Sequence, residues 1–84
     1  MMKLDNKILA LIAVGASVSA NCQPCLERNV STALKCSADA QEISEAIEIG
    51  QRVRHGAASK MDAFIPGLLE TSPVPANSVE CGCG

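Results

Sequence analysis

Residues 39–53, DAQEISEAIEIGQRV, carry the signals that decide the fold. Asp39 stands where a helix N-cap is expected, and Glu42 follows three residues later, which is the spacing of a capping box. Apolar residues then recur with the 3.6-residue period of an α-helix: Ile43, Ala46, Ile47, Gly50 and Val53. The pattern predicts a helix that starts beside Asp39 and continues to about Pro66. Glycines weaken helices, so we expect a bend or break near Gly56.

Two further helical segments precede this one. The first runs from about Asn6 to Ser19, with Asp5 at its N-cap. The second begins near Pro24, because proline is tolerated in the first turn of a helix, and it ends near Cys36. The alternation of apolar and polar residues that is typical of strands is absent from the sequence. The sequence therefore predicts an all-α fold of three to four helices.

The chain is small for the amount of apolar surface it carries. It has 84 residues, of which 48% are hydrophobic, so it forms one domain or less with a small core. The apolar residues of the first helix surround its axis, and a helix of that kind must be buried on all sides. Two other helices of the same chain cannot cover the first helix on all sides, so we expect homo-oligomerisation to complete the hydrophobic core. Residues 1–70 form the predicted helical domain, and residues 71–84 form a tail rich in turn-forming residues.

The composition excludes several classes of protein. Phe64 is the one aromatic residue, and the net charge is −2. A base-stacking nucleic-acid module needs more aromatic residues, and a phosphate-binding surface needs more positive charge. We therefore expect no nucleic-acid partner.

Residues 1–20 allow two interpretations. A weakly basic start, an apolar run over residues 8–18 and small residues at 17–20 resemble an export signal. Alternatively, the run is a buried helix of the fold, since Asp5 is unusual in the charged region of a signal. The run is far shorter than the roughly 18 residues that a membrane span needs, so we expect no membrane association.

Five cysteines are the main chemical signal, and two of them form a C-x-x-C motif, Cys22-Gln23-Pro24-Cys25, at the start of the second helix. The two sulfurs lie one helical turn apart, within reach of a disulfide. The positive end of the helix stabilises a thiolate and is expected to lower the pKa of Cys22. We therefore expect Cys22 to be the exposed attacking thiolate and Cys25 the resolving thiol. A structural disulfide and half of a zinc site are the alternatives.

The other three cysteines have less certain roles. Cys36 would lie about 16 Å along the helix from Cys25, too far for a disulfide, and is interpreted as a small buried residue. Cys81 and Cys83 stand close to the end of the tail. This pair could exchange with the Cys22–Cys25 disulfide, complete a four-thiolate metal site, or have no role.

Several of these segments together resemble a known family. Leu4-Asp5-x-Lys7, Cys22-x-x-Cys25-Leu26, Ala33-Leu34 and residues 38–47 are similar, in order and spacing, to the carboxymuconolactone decarboxylase-like superfamily, and more narrowly to its alkylhydroperoxidase D-like branch. The resemblance covers about residues 4–64. It implies an all-α fold, trimers or hexamers, and a disulfide-cycling C-x-x-C that reduces peroxides or passes electrons to a peroxidase. We expect no cofactor, and a redox partner protein is a further candidate partner. Because it includes the first helix, we expect residues 1–20 to belong to the fold and the protein to be cytoplasmic, with export as the alternative.

The sequence departs from that branch at the positions of its proton relay. Asn29 replaces the family histidine four residues after the second cysteine, and Ala10 replaces the glutamate twelve residues before the first. Pro24 stands where some members have another histidine. Asn29 can hydrogen-bond a sulfur but cannot take a proton, so we assign it a supporting role. His55, the only histidine, is either a solvated helix residue or a displaced base, and glutamates on the helices are weaker substitutes: Glu27, Glu45 and Glu48.

The sequence therefore favours a thiol–disulfide oxidoreductase related to peroxidases, with Cys22 as nucleophile and Cys25 as resolving thiol. The alternative is a non-enzymatic metal-binding or structural oligomer that uses the thiolates of Cys22, Cys25, Cys81 and Cys83. The metal content of protein purified under reducing conditions would separate the two.

Overall fold

The computed structural model describes residues 3–71 of the chain, with side chains described up to residue 68. Three helices make up this part: α1 (Asn6–Ser19), α2 (Gln23–Lys35) and α3 (Ala40–Thr71). No strand occurs among the described residues, so the predicted all-α class is confirmed. The predicted boundary at residue 70 falls at the edge of the described part, and Cys81 and Cys83 lie outside it.

Side-chain caps define where two of the helices begin. At α1, the backbone N–H of Ile8 donates to Asp5 Oδ1 at 2.8 Å. At α3, the N–H of Glu42 donates to Asp39 Oδ1 at 2.8 Å, and the N–H of Asp39 donates to Glu42 Oε1 at 3.0 Å. This reciprocal pair is the predicted capping box, and it satisfies two backbone donors that a helix start would leave unpaired.

Both connections between helices use the same compact turn. After α1, the N–H of Asn21 donates to the Val18 carbonyl at 3.1 Å, and the N–H of Cys22 donates to the Ser17 carbonyl at 3.0 Å. The connection after α2 repeats this pattern, with Ser37 in the position of Asn21. These are Schellman motifs, in which one residue takes a left-handed conformation. Here φ is 57° and 74° at the two positions, although neither residue is glycine.

The core is small and is centred on α1, which packs against both other helices. Val14 is completely buried, and four other small or branched side chains join it in one cluster: Ala10, Ala33, Ala38 and Ile43. Helices α1 and α3 run roughly parallel, because Lys7 Nζ binds Glu42 Oε2 at 2.9 Å near their starts and Arg54 reaches the end of α1 further along. Between these points Gly15 and Gly50 face each other, and the absence of side chains lets the two backbones approach closely.

The second half of α3 projects away from this core. The helix is continuous from Ala40 to Thr71, so the break expected near Gly56 does not occur. Every residue from 51 to 68 is exposed, although Arg54 still hydrogen-bonds the end of α1. The molecule is accordingly elongated, with extents of 56 × 27 × 26 Å.

The prediction that α1 is buried on all sides is not met within a single chain. Ile8 and Ile12 are 41% and 55% exposed, because α2 and α3 cover only part of the helix circumference. Among the described helices, none is both long enough and apolar enough to cross a bilayer.

Candidate active site

Cys22 and Cys25 form a disulfide at the start of α2, as their spacing predicts. Cys22 is the N-cap residue of this helix, and Pro24 lies within its first turn. The backbone N–H of Cys25 donates to Cys22 Sγ at 3.3 Å. The sulfur of Cys22 therefore occupies the position where a helix start stabilises negative charge.

The connection between α1 and α2 holds Cys22 from both sides. Its backbone N–H closes the Schellman motif of α1, while its side chain caps α2. Residue 22 thus joins two helix ends with no intervening flexible loop. The backbone of Cys22 is therefore held by hydrogen bonds at both helix ends.

The exposure of the two cysteines differs from the expectation. Cys25 is exposed, whereas Cys22 is only partly exposed, because the Schellman turn places it against the end of α1 and the middle of α3. Cys22 lines a cavity of about 250 Å³, together with Ser17, Leu26 and Arg54. Cys25 is not among the residues that line it. Cys22 therefore borders a cavity, whereas Cys25 is exposed to solvent.

Asn29 fastens α2 to α1 beside the disulfide. Its Nδ2 donates to Ser17 Oγ at 2.8 Å and to the Ala13 carbonyl at 3.4 Å. Ser17 is buried and donates in turn to the same carbonyl at 2.7 Å. The amide nitrogen of Asn29 is thus directed to α1 and not to a sulfur, which gives this residue a positioning role.

Arg54 is a residue of this site that the sequence did not indicate. Its Nη1 donates to Asn21 Oδ1 at 3.1 Å and to the Val18 carbonyl at 3.5 Å, and its side chain lines the cavity beside Cys22. Thirty-two residues separate Arg54 from Cys22, and only the crossing of α1 and α3 brings them together. No local motif could have identified it.

None of the candidate bases lines the cavity beside Cys22, and Glu27, two residues after Cys25 on α2, is exposed. His55 is exposed on α3 and does not line the cavity. Glu48 pairs with Arg52 at 2.9 Å, and Glu45 accepts a hydrogen bond from Gln41 at 2.9 Å. Ala10 is buried in the core, so the position that matches the family glutamate carries a methyl group in an apolar environment.

The remaining cysteines stand apart from the disulfide or outside the described part. Cys36 is a free thiol at the C-cap of α2, and it is partly exposed, not buried as expected. Residues 3–71 contain no group of three or more His, Cys, Asp or Glu side chains that could hold a metal ion. A four-thiolate site would need Cys81 and Cys83, so that alternative stays a prediction.

The sequence was compared with known protein families. The model of the carboxymuconolactone decarboxylase family matches residues 2–66. The chain belongs to this family. The match covers α1, the disulfide and most of α3, so the superfamily resemblance is confirmed over the part of the chain that builds the site. No curated protein and no solved structure matches the chain.

Proposed function

We propose that this member of the carboxymuconolactone decarboxylase family is a thiol–disulfide oxidoreductase of the alkylhydroperoxidase D-like type. The observation that carries the proposal is the Cys22–Cys25 disulfide at the start of α2, with Cys22 lining a cavity and Cys25 exposed. A buried structural disulfide would leave neither sulfur accessible to a partner. The position at a helix N-terminus favours the thiolate that exchange chemistry requires.

The proposed cycle uses both cysteines in turn. In the reduced state the Cys22 thiolate attacks a substrate disulfide R–S–S–R′, forms a bond to one sulfur and expels R′S⁻. The Cys25 thiol then loses its proton to solvent and attacks Cys22 Sγ, which expels RS⁻ and regenerates the Cys22–Cys25 disulfide. The substrate gains two electrons and the pair of cysteines loses two.

Direct peroxide reduction is expected to be slow. Ala10 and Asn29 stand where the branch has a glutamate and a histidine, and neither can transfer a proton at those positions. General acid–base help is worth roughly 10²–10⁴ in rate. A role in passing electrons between thiols therefore fits the site better than a role as a peroxidase.

Thiol labelling tests the proposal. Reduced protein is treated with a disulfide such as oxidised 2-mercaptoethanol, and labelled peptides are resolved by mass spectrometry. Cys22 and Cys25 should become protected together as the Cys22–Cys25 disulfide, whereas in Cys22→Ser that disulfide cannot form and Cys25 should carry only a mixed disulfide with 2-mercaptoethanol. Cys36→Ser is the matched control, because Cys36 is a free thiol away from the disulfide, and it should leave the reaction unchanged.

The pH dependence of alkylation examines the thiolate itself. Reduced Cys22 should react with iodoacetamide with a pKa below the roughly 8.5 of a free thiol, because it lies at a helix start. If Cys22 is inert or ionises above that value, the redox proposal loses its physical basis. Metal in protein purified under reducing conditions would support the thiolate metal-binding alternative instead.

We also propose that the protein is a homo-oligomer, as the resemblance implies. The exposed half of α3 presents Met61, Phe64 and Leu68 on one face, each between 46% and 60% exposed. A groove of about 450 Å³ between α1 and α3 is lined by further exposed apolar side chains: Ile8, Ile12, Ile49 and Val53. Burying each half-exposed side chain of this size at an interface would stabilise the oligomer by roughly 1 kcal/mol. Both surfaces are on the same chain, so association of copies can cover both.

Sedimentation of the reduced protein tests the assembly. A trimer or hexamer is expected, and Phe64→Asp should shift it toward the monomer. Ser59→Asp is the matched control, because Ser59 lies on the opposite face of α3. A folded monomer at micromolar concentration would refute the proposal. Detection should not rely on absorbance at 280 nm, because the chain has no Trp or Tyr.

A further inference from the structure

The cavity beside Cys22 has a polar wall as well as an apolar one. Leu26 and Val18 provide apolar lining, whereas Gln51, Asn21 and Arg54 provide polar groups. Its volume of about 250 Å³ is below the roughly 300–1,000 Å³ of pockets that enclose drug-sized ligands. The cavity therefore suits a small molecule of few heavy atoms, or one end of a larger one.

Arg54 supplies the positive charge of this wall. Both of its hydrogen bonds are made by Nη1, and both acceptors are neutral, the Asn21 side chain and the Val18 carbonyl. Ion pairs among the described residues join Lys7 to Glu42 and Arg52 to Glu48, so Arg54 is not neutralised by a described carboxylate.

The bond to Asn21 fixes the direction of this charge. Asn21 is the left-handed residue of the α1 turn and immediately precedes Cys22, so its side-chain oxygen anchors the guanidinium beside the disulfide. The guanidinium has five N–H donors, and its fork matches the two oxygens of a carboxylate. A cavity lined by both Arg54 and the disulfide-bonded Cys22 suits a ligand that carries a carboxylate near its own sulfur.

We propose that this cavity binds small thiols and disulfides that carry a carboxylate, and that Arg54 is the specificity-determining residue. The inference rests on the thiol–disulfide exchange proposed above. A mercaptocarboxylate in the cavity attacks Cys22 Sγ, forms a mixed disulfide and expels the Cys25 thiolate, which takes a proton from solvent. A second mercaptocarboxylate attacks the sulfur of the bound one, which releases the small-molecule disulfide and the Cys22 thiolate. Two thiols are oxidised and the Cys22–Cys25 disulfide is reduced.

Reduction kinetics with a pair of thiols test this. Oxidised protein is treated with 3-mercaptopropionate or with 2-mercaptoethanol at low ionic strength, and free Cys22 and Cys25 are counted by quenched alkylation and mass spectrometry. Rates are expressed per thiolate, because thiol reactivity depends on the fraction ionised. The measured quantity is the ratio of the two rates, which cancels any general change in the reactivity of the disulfide.

In the wild type the ratio should favour 3-mercaptopropionate. Arg54→Gln should lower the ratio about 5–10-fold, since a charge-assisted hydrogen bond in a partly open site is worth somewhat less than the roughly 1.5–3 kcal/mol of a buried one. Arg54→Lys should retain part of the preference. Arg52→Gln is the matched control, because Arg52 lies two residues away and does not line the cavity, and it should leave the ratio unchanged.

A second measurement does not depend on turnover. Propionate, which has the carboxylate but no thiol, should slow alkylation of reduced Cys22 in the wild type and not in Arg54→Gln. An unchanged ratio in Arg54→Gln, an equal fall in Arg52→Gln, or no protection by propionate would overturn the inference. If neither thiol reduces the Cys22–Cys25 disulfide in the wild type, it is the proposed exchange activity that has failed.

Discussion

Replacing Gly50 with alanine should disrupt the packing of α1 against α3. A Cβ atom at residue 50 would overlap the Gly15 carbonyl oxygen and would lie 2.8 Å from the Val18 Cβ. The first of these is backbone, so no rotamer change can relieve the overlap and the helices must separate. Overpacking of this kind costs roughly 1–3 kcal/mol.

The expected change in the free energy of unfolding follows from two opposing effects. Alanine improves helix propensity over glycine by about 1 kcal/mol. Because the overlap involves backbone, we place its cost at the upper end of the range for overpacking. The net loss of stability is then about 1–2 kcal/mol. For a domain of this size that corresponds to a fall in Tm of about 4–16 °C. Gly15→Ala should be intermediate, because its Cβ would lie 3.1 Å from the Ala46 carbonyl oxygen.

Gly56 provides the matched control in the same helix. A Cβ at residue 56 would meet nothing within 4 Å, so Gly56→Ala should gain up to about 1 kcal/mol from propensity alone. Thermal unfolding followed by circular dichroism, at one protein concentration for all variants, measures the differences. A Gly50→Ala variant as stable as Gly56→Ala would refute the close crossing of α1 and α3.

Three further predictions concern a turn, a helix start and the missing relay. Ser37→Gly should stabilise the protein by about 0.5–1 kcal/mol, because a residue with a side chain is strained at the left-handed φ of 74°, and chemical denaturation measures the gain. Glu42 has a pKa below its ordinary 4.5, chiefly because the Asp39 backbone N–H donates to it and also because Lys7 binds it, and the pKa of Lys7 is raised in turn. The stability that Glu42→Gln removes should therefore be fully present above pH 4.5 and should disappear as the pH falls through the lowered pKa. Ala10→Glu combined with Asn29→His should raise peroxide-dependent oxidation of the dithiol by up to about 10²-fold, while either change alone gains little, as stopped assays with labelled thiols can show.

Each of these has a control and a contrary outcome. Ser59→Gly, in the exposed middle of α3, should destabilise, so a loss in Ser37→Gly would contradict the strain argument. Glu45 accepts its hydrogen bond from Gln41 within α3, so the effect of Glu45→Gln on stability should be smaller than that of Glu42→Gln at neutral pH. Equal peroxide rates in all four relay proteins, with folding confirmed, would mean that the site is not a degraded peroxidase.

Local signals were sufficient to predict most of the fold. The bounds of α1 agree with the prediction because Asp5 caps it and the apolar run sets its length. The capping box located the start of α3 for the same reason. These features depend on residues within one or two turns of each other, and a single sequence contains all of that information.

The glycines of α3 show where such local reasoning fails. Gly50 and Gly56 have the same intrinsic cost in a helix, so a sequence gives no reason to distinguish them. In the structure Gly50 lies at a contact with α1, whereas Gly56 lies in the open. The helix continues through Gly56 because the good helix formers around it outweigh the cost of one glycine.

The candidate site also combines features that local sequence signals predict with features that depend on how the helices pack. The Cys22–Cys25 pair and its place at a helix start were predictable, because both follow from a four-residue spacing. The partly buried position of Cys22 and the presence of Arg54 were not, because both depend on how α1 crosses α3. As a histidine, His55 is the chemically obvious candidate, yet it is the neighbouring Arg54 that lines the cavity.

The crossing of α1 and α3 therefore connects stability to the proposed specificity, and this connection can be tested. Gly50 lies one turn before Arg54, so separation of the helices at Gly50 should lengthen the bond between Arg54 Nη1 and Asn21 Oδ1. Gly50→Ala should lower the preference for 3-mercaptopropionate over 2-mercaptoethanol about 2–5-fold, although residue 50 does not line the cavity beside Cys22. Gly56→Ala should leave the preference unchanged. If Gly50→Ala is destabilised and keeps the full preference, the position of Arg54 is set by its own contacts with the α1 turn and not by the helix crossing.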